Sequence, residues 1–305
     1  MAFNTHKSKF STLEERRRWQ PYLLLSPALI IVILFMGYPL LYSLGISLMN
    51  YNIVQPGKIY FNYFANYKKL FSNPDFYLVL RNSLLWVLVI VVVQSVTGMV
   101  LALLLKYSRF KLKGLYQGLV FLPWAISGFL IGMIFKWIFS ENGGIVNQTL
   151  SALGLISKPV SWMGTVTLSK VVPMVAMIWY GIPFFAIMFL AALQSIPNDI
   201  LESADVDGAT PWQKFYMIMI PYIKPTIIVT LLLRVIWVFN SSDTIYVTTD
   251  GGPANSSNIL SYYVFNQAYS SMDFGYGAAA GIFMMLVLAV YACVYLKITR
   301  YENEH

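Results

Sequence analysis

The sequence predicts an all-α integral membrane protein with six spanning helices and both termini on the cytoplasmic side. Three observations carry this. The 305-residue chain is 58% hydrophobic and 11% charged, less than half the roughly one-quarter charged share of a soluble domain. Six segments supply the run of about 20 mostly apolar residues that a spanning helix needs. Lys and Arg are distributed unevenly between the segments that join them.

The first span covers residues 22–48, preceded by the basic stretch "EERRRW". Its apolar run is too long for a cleaved signal peptide and lacks a small-residue cleavage site, so it reads as a membrane helix. The second span, 82–105, carries no Lys, Asp or Glu. The third, 115–139, has Lys136 near its end, where a long stem reaches the interface. The fourth, 171–194, is uncharged, the fifth, 225–247, is interrupted by Arg234, and the sixth is 275–296. With the N-terminus inside, thirteen Lys and Arg fall on the inner side and seven on the outer, Arg234 completing the 21. This asymmetry sets the orientation. The outer loops 49–81 and 140–170 are too short for domains of their own. The chain therefore reads as one transmembrane domain, 1–305, with a cytoplasmic segment 1–21 and a cytoplasmic loop 195–224. "TTDGGPANSSN" reads as an outer turn cluster. An impermeant thiol reagent is then expected to reach a cysteine at Ser257 from outside, but not one at Ser8. The sequons at Asn147 and Asn255 carry little weight. Gly128 with Gly132, and Gly277 with Gly281, form small-xxx-small faces that admit close helix approach.

Several chemistries are excluded. The single Cys293 allows no intramolecular disulfide. The two histidines, His6 and His305, stand at the chain ends, which argues against a histidine metal site or a Ser–His catalyst. No G-x-x-x-x-G-K-[ST] occurs, so the chain has no phosphate-binding loop of its own. The net charge of +8 follows the topology rather than a nucleic-acid surface.

The loop 195–224 is the polar passage between two greasy spans, and it carries Asp199, Glu202, Asp205 and Asp207. Pro197 suits a helix start. Asp199 and Glu202 complement the positive end of the helix dipole. Gly208 ends that helix in the left-handed cap conformation. Thr210 and Gln213 form a T-x-x-Q capping box around Pro211 for a second helix, and Pro221 and Pro225 bracket re-entry into the membrane. Most connections run about 2–8 residues; a 30-residue loop with two capped helices suggests a docking surface for another protein.

These residues resemble a known family. E-S-A-x-x-D-G-A followed by I-x-x-P resembles the EAA motif of the permease subunits of ABC importers, with Ser203 in place of the commoner alanine. "WYGIPFF", "LQSIPNDILESADVDGA", "TTDGGP" and "DFGYGAAAG" together resemble the maltose-type carbohydrate permeases, in particular the first, GGP-bearing member of the pair. The resemblance implies a bacterial cytoplasmic-membrane permease supplying half of a pore. It implies a second homologous permease, two cytoplasmic ATPases, an extracellular solute-binding protein and a sugar cargo. Glu202, Ser203, Ala204, Asp207, Gly208 and Ala209 would form the coupling element. No cofactor is implied for this chain, which is not itself an enzyme; ATP and Mg would sit on the partner ATPase.

Ionisable groups at membrane depth usually face a cavity. Arg234, Trp237, Asn240 and Asp243 recur at three-residue steps along the fifth span, a stripe whose aromatic, amide and carboxylate groups suit a sugar. Three of them have an alternative: an interhelix ion pair for Arg234, lipid or core packing for Trp237, a solvated helix end for Asp243. Tyr180, Gln194 and Ser127 are further candidates. An ion-coupled secondary transporter is the rival class, which expects broken helices or repeats that the sequence does not display. A membrane enzyme lacks usable histidines. A glycerophosphate-type or other small polar cargo is the rival within the importer class, since Arg234 suits a phosphate.

Overall fold

The computed structural model describes Tyr22 and residues 24–108 and 113–299. The segment 1–21, Arg109, Lys111, Arg300 and both histidines lie outside the described residues. The chain first forms α1 (Leu24–Ser47), a small antiparallel hairpin of β1 (Met49–Asn50) and β2 (Tyr60–Phe61), α2 (Ala65–Ser72) and α3 (Pro74–Tyr107). α4 (Lys113–Phe121), α5 (Gly128–Ile138) and α6 (Ile145–Ala152) follow. α7 (Val171–Gln194) leads through α8 (Asn198–Val206) to α9 (Pro211–Phe239). α10 (Ser242–Thr248), α11 (Leu260–Tyr269) and α12 (Phe274–Thr299) complete the chain.

Five helices among the described residues, α1, α3, α7, α9 and α12, are long and apolar enough to span a membrane, and the third span is the bent pair Gly114–Ala125 and Gly128–Ile138. α7 has the bounds the sequence predicts. α3 starts at Pro74 rather than 82, because Asn73 caps it by accepting from the Asp75 N–H at 3.0 Å while Pro74 fills the first turn.

Three departures from a row of straight helices have identifiable causes. The third span bends by 93°, where Pro123 lies in a tight turn and Ile126 and Ser127 are extended before Gly128 opens α5. Pro123 supplies no N–H. A broken helix, which the sequence did not display, is therefore present. The fifth span ends at Phe239 rather than 247, because Asn240 Nδ2 and Ser241 Oγ donate to the carbonyls of Ile236 and Val238 and compete with the helix ladder. Its start is also earlier: the second loop helix runs on unbroken into the span as α9. The chain passes Pro221 through a widened π segment at Lys214–Met219, and α1 passes Pro39 through another at Ile33–Gly37. In both, the wide turn ends two residues before the proline, which lacks an N–H and crowds the carbonyl one turn back.

The core lies between α3, α7 and α9, around Trp86, Ile90, Phe185, Phe189 and Leu193. Gly98 permits the α3–α7 approach: a Cβ there would lie 2.4 Å from Phe185 Cβ. The glycine-spaced faces receive short helices rather than another span. Gly132 packs on Val247 of α10, and Gly277 and Gly281 lie against Ala268 and Val264 of α11. α1 packs along α12 and buries none of its most apolar stretch within the chain.

Candidate coupling surface and pathway residues

The acidic loop folds as two capped helices. α8 ends in a Schellman motif: Gly208 N–H donates to Asp205 O at 3.1 Å and Ala209 N–H to Ala204 O at 2.9 Å, with Gly208 at φ 76°. The capping box at Thr210 and Gln213 is complete. Lys214 Nζ bonds Asp205 Oδ1 across the turn between the helices. Ala204 is buried, and Leu201 and Phe215 reach the core, which anchors the unit. Glu202, Ser203, Asp207 and Gly208 are exposed and Ala209 is half-buried. Beside them Val206 is 88% and Trp212 69% exposed, and Trp212 stacks on the exposed Tyr216 at 5.5 Å. The loop thus carries an exposed apolar ridge rimmed by carboxylates. Below the stack an apolar groove of about 790 Å³ runs between α3 and α9.

The four residues of the predicted stripe separate. Arg234 is 1% exposed, wedged between α3, α7 and α9. Its Nε donates to Gln94 Oε1 at 2.7 Å, Gln94 Nε2 donates to Met177 O at 2.6 Å, and Arg234 Nη2 has no partner. Gly181 makes the space, since a Cβ there would lie 1.9 Å from Arg234 Nη2. Neither ion pair found among the described residues includes Arg234; an amide and the rings of Tyr180 and Phe184, 6.0 and 5.8 Å away, surround it. Trp237 is half-exposed and packs 5.0 Å from Phe184, which in turn meets Trp124. Asn240 is exposed and caps its own helix. Asp243 lies on α10, beyond the break, and faces Gly128 at the start of α5. Trp237, Asn240, Asp243 and the exposed Ser127 thus lie at or near the breaks in the third and fifth spans, whereas Arg234 is locked behind them. Tyr180 is half-buried and Gln194 exposed.

Sequence reasoning missed Gln94 and Gly181, which were legible as a polar residue and a glycine inside uncharged spans. It also missed Asn82. This side chain is buried, and its Nδ2 lies 3.0–3.2 Å from the carbonyls of Asn255, Ser256 and Asn258. Lys170 Nζ donates to its Oδ1 at 2.8 Å. The turn cluster is consequently no loose outer loop. Ser257, expected to be accessible, is 2% exposed, and its hydroxyl bonds Gly252 O and Thr249 Oγ1. Asp250 and Ala254 are the exposed positions of the loop. Asn147 is buried against Val160 and Trp162, so that sequon is closed.

The chain is similar to known transport proteins over nearly its whole length. It is 33% identical over 288 residues to the diacetylchitobiose uptake system permease protein of Streptomyces coelicolor, covering 93% of this chain and 88% of the relative. It is 31% identical over 294 residues to the trehalose/maltose transport system permease protein of Thermococcus litoralis, covering 96% and 98%. A crystal structure of a bacterial ABC transporter involved in the import of the acidic polysaccharide alginate contains a chain that superposes with a TM-score of 0.81 at 25% identity, covering 95% of this chain and 98% of that one. Residues 94–300 match the family described as binding-protein-dependent transport system inner membrane component, and the chain belongs to that family.

Proposed function

We propose that this chain is one of two paired permeases of an ATP-driven saccharide importer, coupled to a cytoplasmic ATPase through α8 and the start of α9. The observation that carries the proposal is the rigid, exposed ridge of Glu202, Asp207 and the Trp212–Tyr216 stack on the loop between the fourth and fifth spans. A partner ATPase holds ATP and Mg and moves the ridge; this chain transmits the motion. An extracellular binding protein delivers the cargo from the other side. The cargo class is supported by relatives named for diacetylchitobiose and trehalose/maltose transport and by the solved alginate importer. Ser127, Trp237, Asn240 and Asp243 lie at or near the breaks in the third and fifth spans, and their hydroxyl, aromatic, amide and carboxylate groups support a polyhydroxylated solute as the cargo.

A broken span is also a feature of ion-coupled transporters, so the bend by itself does not separate the classes. Energetics does. Uptake of a labelled saccharide panel in cells should stop on ATP depletion and persist when a protonophore collapses the ion gradient while ATP is maintained. Loss under the protonophore at constant ATP contradicts the reading. A phosphorylated cargo is the rival within the importer class, so glycerophosphodiesters belong in the same panel.

A further inference from the structure

The segment that joins the first two spans runs against the charge pattern that orients the chain. Outer loops are normally poor in Lys and Arg, yet residues 49–81 hold Lys58, Lys68, Lys69 and Arg81 against the single carboxylate of Asp75. Lys69 pairs with Asp273, just ahead of α12. Neither ion pair found among the described residues includes Lys58, Lys68 or Arg81, and all three are exposed. Aromatic rings are interleaved with these charges along one surface. Phe64, Lys68 and Phe71 recur at four- and three-residue steps along α2, one face of a helix, and all three are exposed while Asn66 and Leu70 turn inward. Tyr77 of α3 donates its hydroxyl to Phe71 O at 2.8 Å, which joins this face to α3. From Tyr77 the exposed side chains of Arg81, Leu84, Leu88 and Val92 continue along α3 at helical steps. The stripe therefore changes at Leu84 from aromatic and cationic to purely apolar.

We propose that the Phe64–Lys68–Phe71 face of α2 and the Tyr77–Arg81 turn of α3 form a binding site for an anionic phospholipid of the outer leaflet. The segment is tethered between the end of α1 at Ser47 and the start of α3 at Pro74, which holds it at the membrane surface. Lys68 and Arg81 supply positive charge for the headgroup, Arg81 with a planar fork that suits phosphate oxygens. The rings of Phe64, Phe71 and Tyr77 take the boundary between headgroup and hydrocarbon, where aromatic side chains gather. Leu84, Leu88 and Val92 then give an acyl chain an apolar track. A protein partner would not require the charge to stop where the apolar stripe begins; a phospholipid does. The site needs only that the chain spans the membrane, so it stands whatever the cargo.

The test reads lipid preference at the site itself. In a Cys293→Ser background, Ser72→Cys, at an exposed position beside Phe71, is labelled with a small fluorophore on the transporter purified with cysteine-free partner subunits. The complex is placed in vesicles of phosphatidylcholine and phosphatidylglycerol in equal parts, with one lipid or the other brominated near its headgroup. Brominated phosphatidylglycerol should quench the label more strongly than brominated phosphatidylcholine. Each Lys or Arg near an anionic surface is worth about fivefold in preference. Lys68→Gln and Arg81→Gln should each lower the preference by about that factor, the double variant should abolish it, and Lys68→Arg should retain it. Molar salt should also erase it, because the Debye length falls to about 3 Å. Equal quenching by the two lipids in the complex with Lys68 and Arg81 intact overturns the proposal, as does a preference that survives the double variant. Weak quenching by both lipids overturns it too, since protein then covers the face.

Discussion

Arg234 shows how burial changes the meaning of a residue. As a letter in an apolar span it suggests a counter-charge for cargo; in the fold it joins three helices through Gln94 and the gap over Gly181. Gly181→Ala therefore drives a methyl into Arg234 Nη2 and Gln94 Nε2. Overpacking of this kind costs about 1–3 kcal/mol, expected as a lowered thermal unfolding midpoint of the purified complex; an unchanged midpoint contradicts the interlock. Trp237 and Asn240 are the exposed members of the stripe on α9 and are proposed to face the cargo. An aromatic contact is worth about 1 kcal/mol beyond its area, so Trp237→Ala should raise the half-saturating saccharide concentration about fivefold, with basal ATP hydrolysis intact. Asn240→Ala should shift preference within the panel. If neither changes affinity or selectivity, these side chains face lipid or the partner permease.

At the scale of elements, much of the fold was legible because local chemistry agrees with it. The bounds of α7, the capping box and the glycine end of α8 each follow from a residue type whose backbone preference is strong: apolar run, Thr and Gln, Gly. Thr210→Ala removes the box and costs about 1 kcal/mol, which should lower hydrogen-exchange protection over residues 211–216 about fivefold; unaltered protection means that the π segment and core hold this end without the cap. Other features were not legible, for a common reason. The bend at Ser127, the break at Asn240 and the continuity of α9 through Pro221 depend on which backbone groups are bonded by a nearby side chain, left without a donor by a proline or taken into a widened turn. Hydropathy sees only apolar length. The Asn82 contacts join residues more than 170 positions apart in sequence, so no local pattern announces them.

For the whole molecule, the charge asymmetry predicts that both termini and the acidic ridge face the cytoplasm. Ala254→Cys, in a Cys293→Ser background, should label from outside intact cells and Ser8→Cys only after permeabilisation; the reverse order contradicts the orientation. If the loop between the fourth and fifth spans transmits the work of ATP hydrolysis, as proposed above, the turn at Gly208 is where a single substitution should break the link. At φ 76° the position suits glycine, tolerates asparagine and strains a β-branched residue, at about 1–2 kcal/mol for the left-handed conformation. Cargo-stimulated ATP hydrolysis and uptake should be measured side by side on transporters carrying Gly208→Asn and Gly208→Val. Coupling should be near normal with asparagine, whereas valine should give a complex that still reaches the membrane but loses stimulated hydrolysis and uptake together. Full coupling with valine would contradict transmission through the loop.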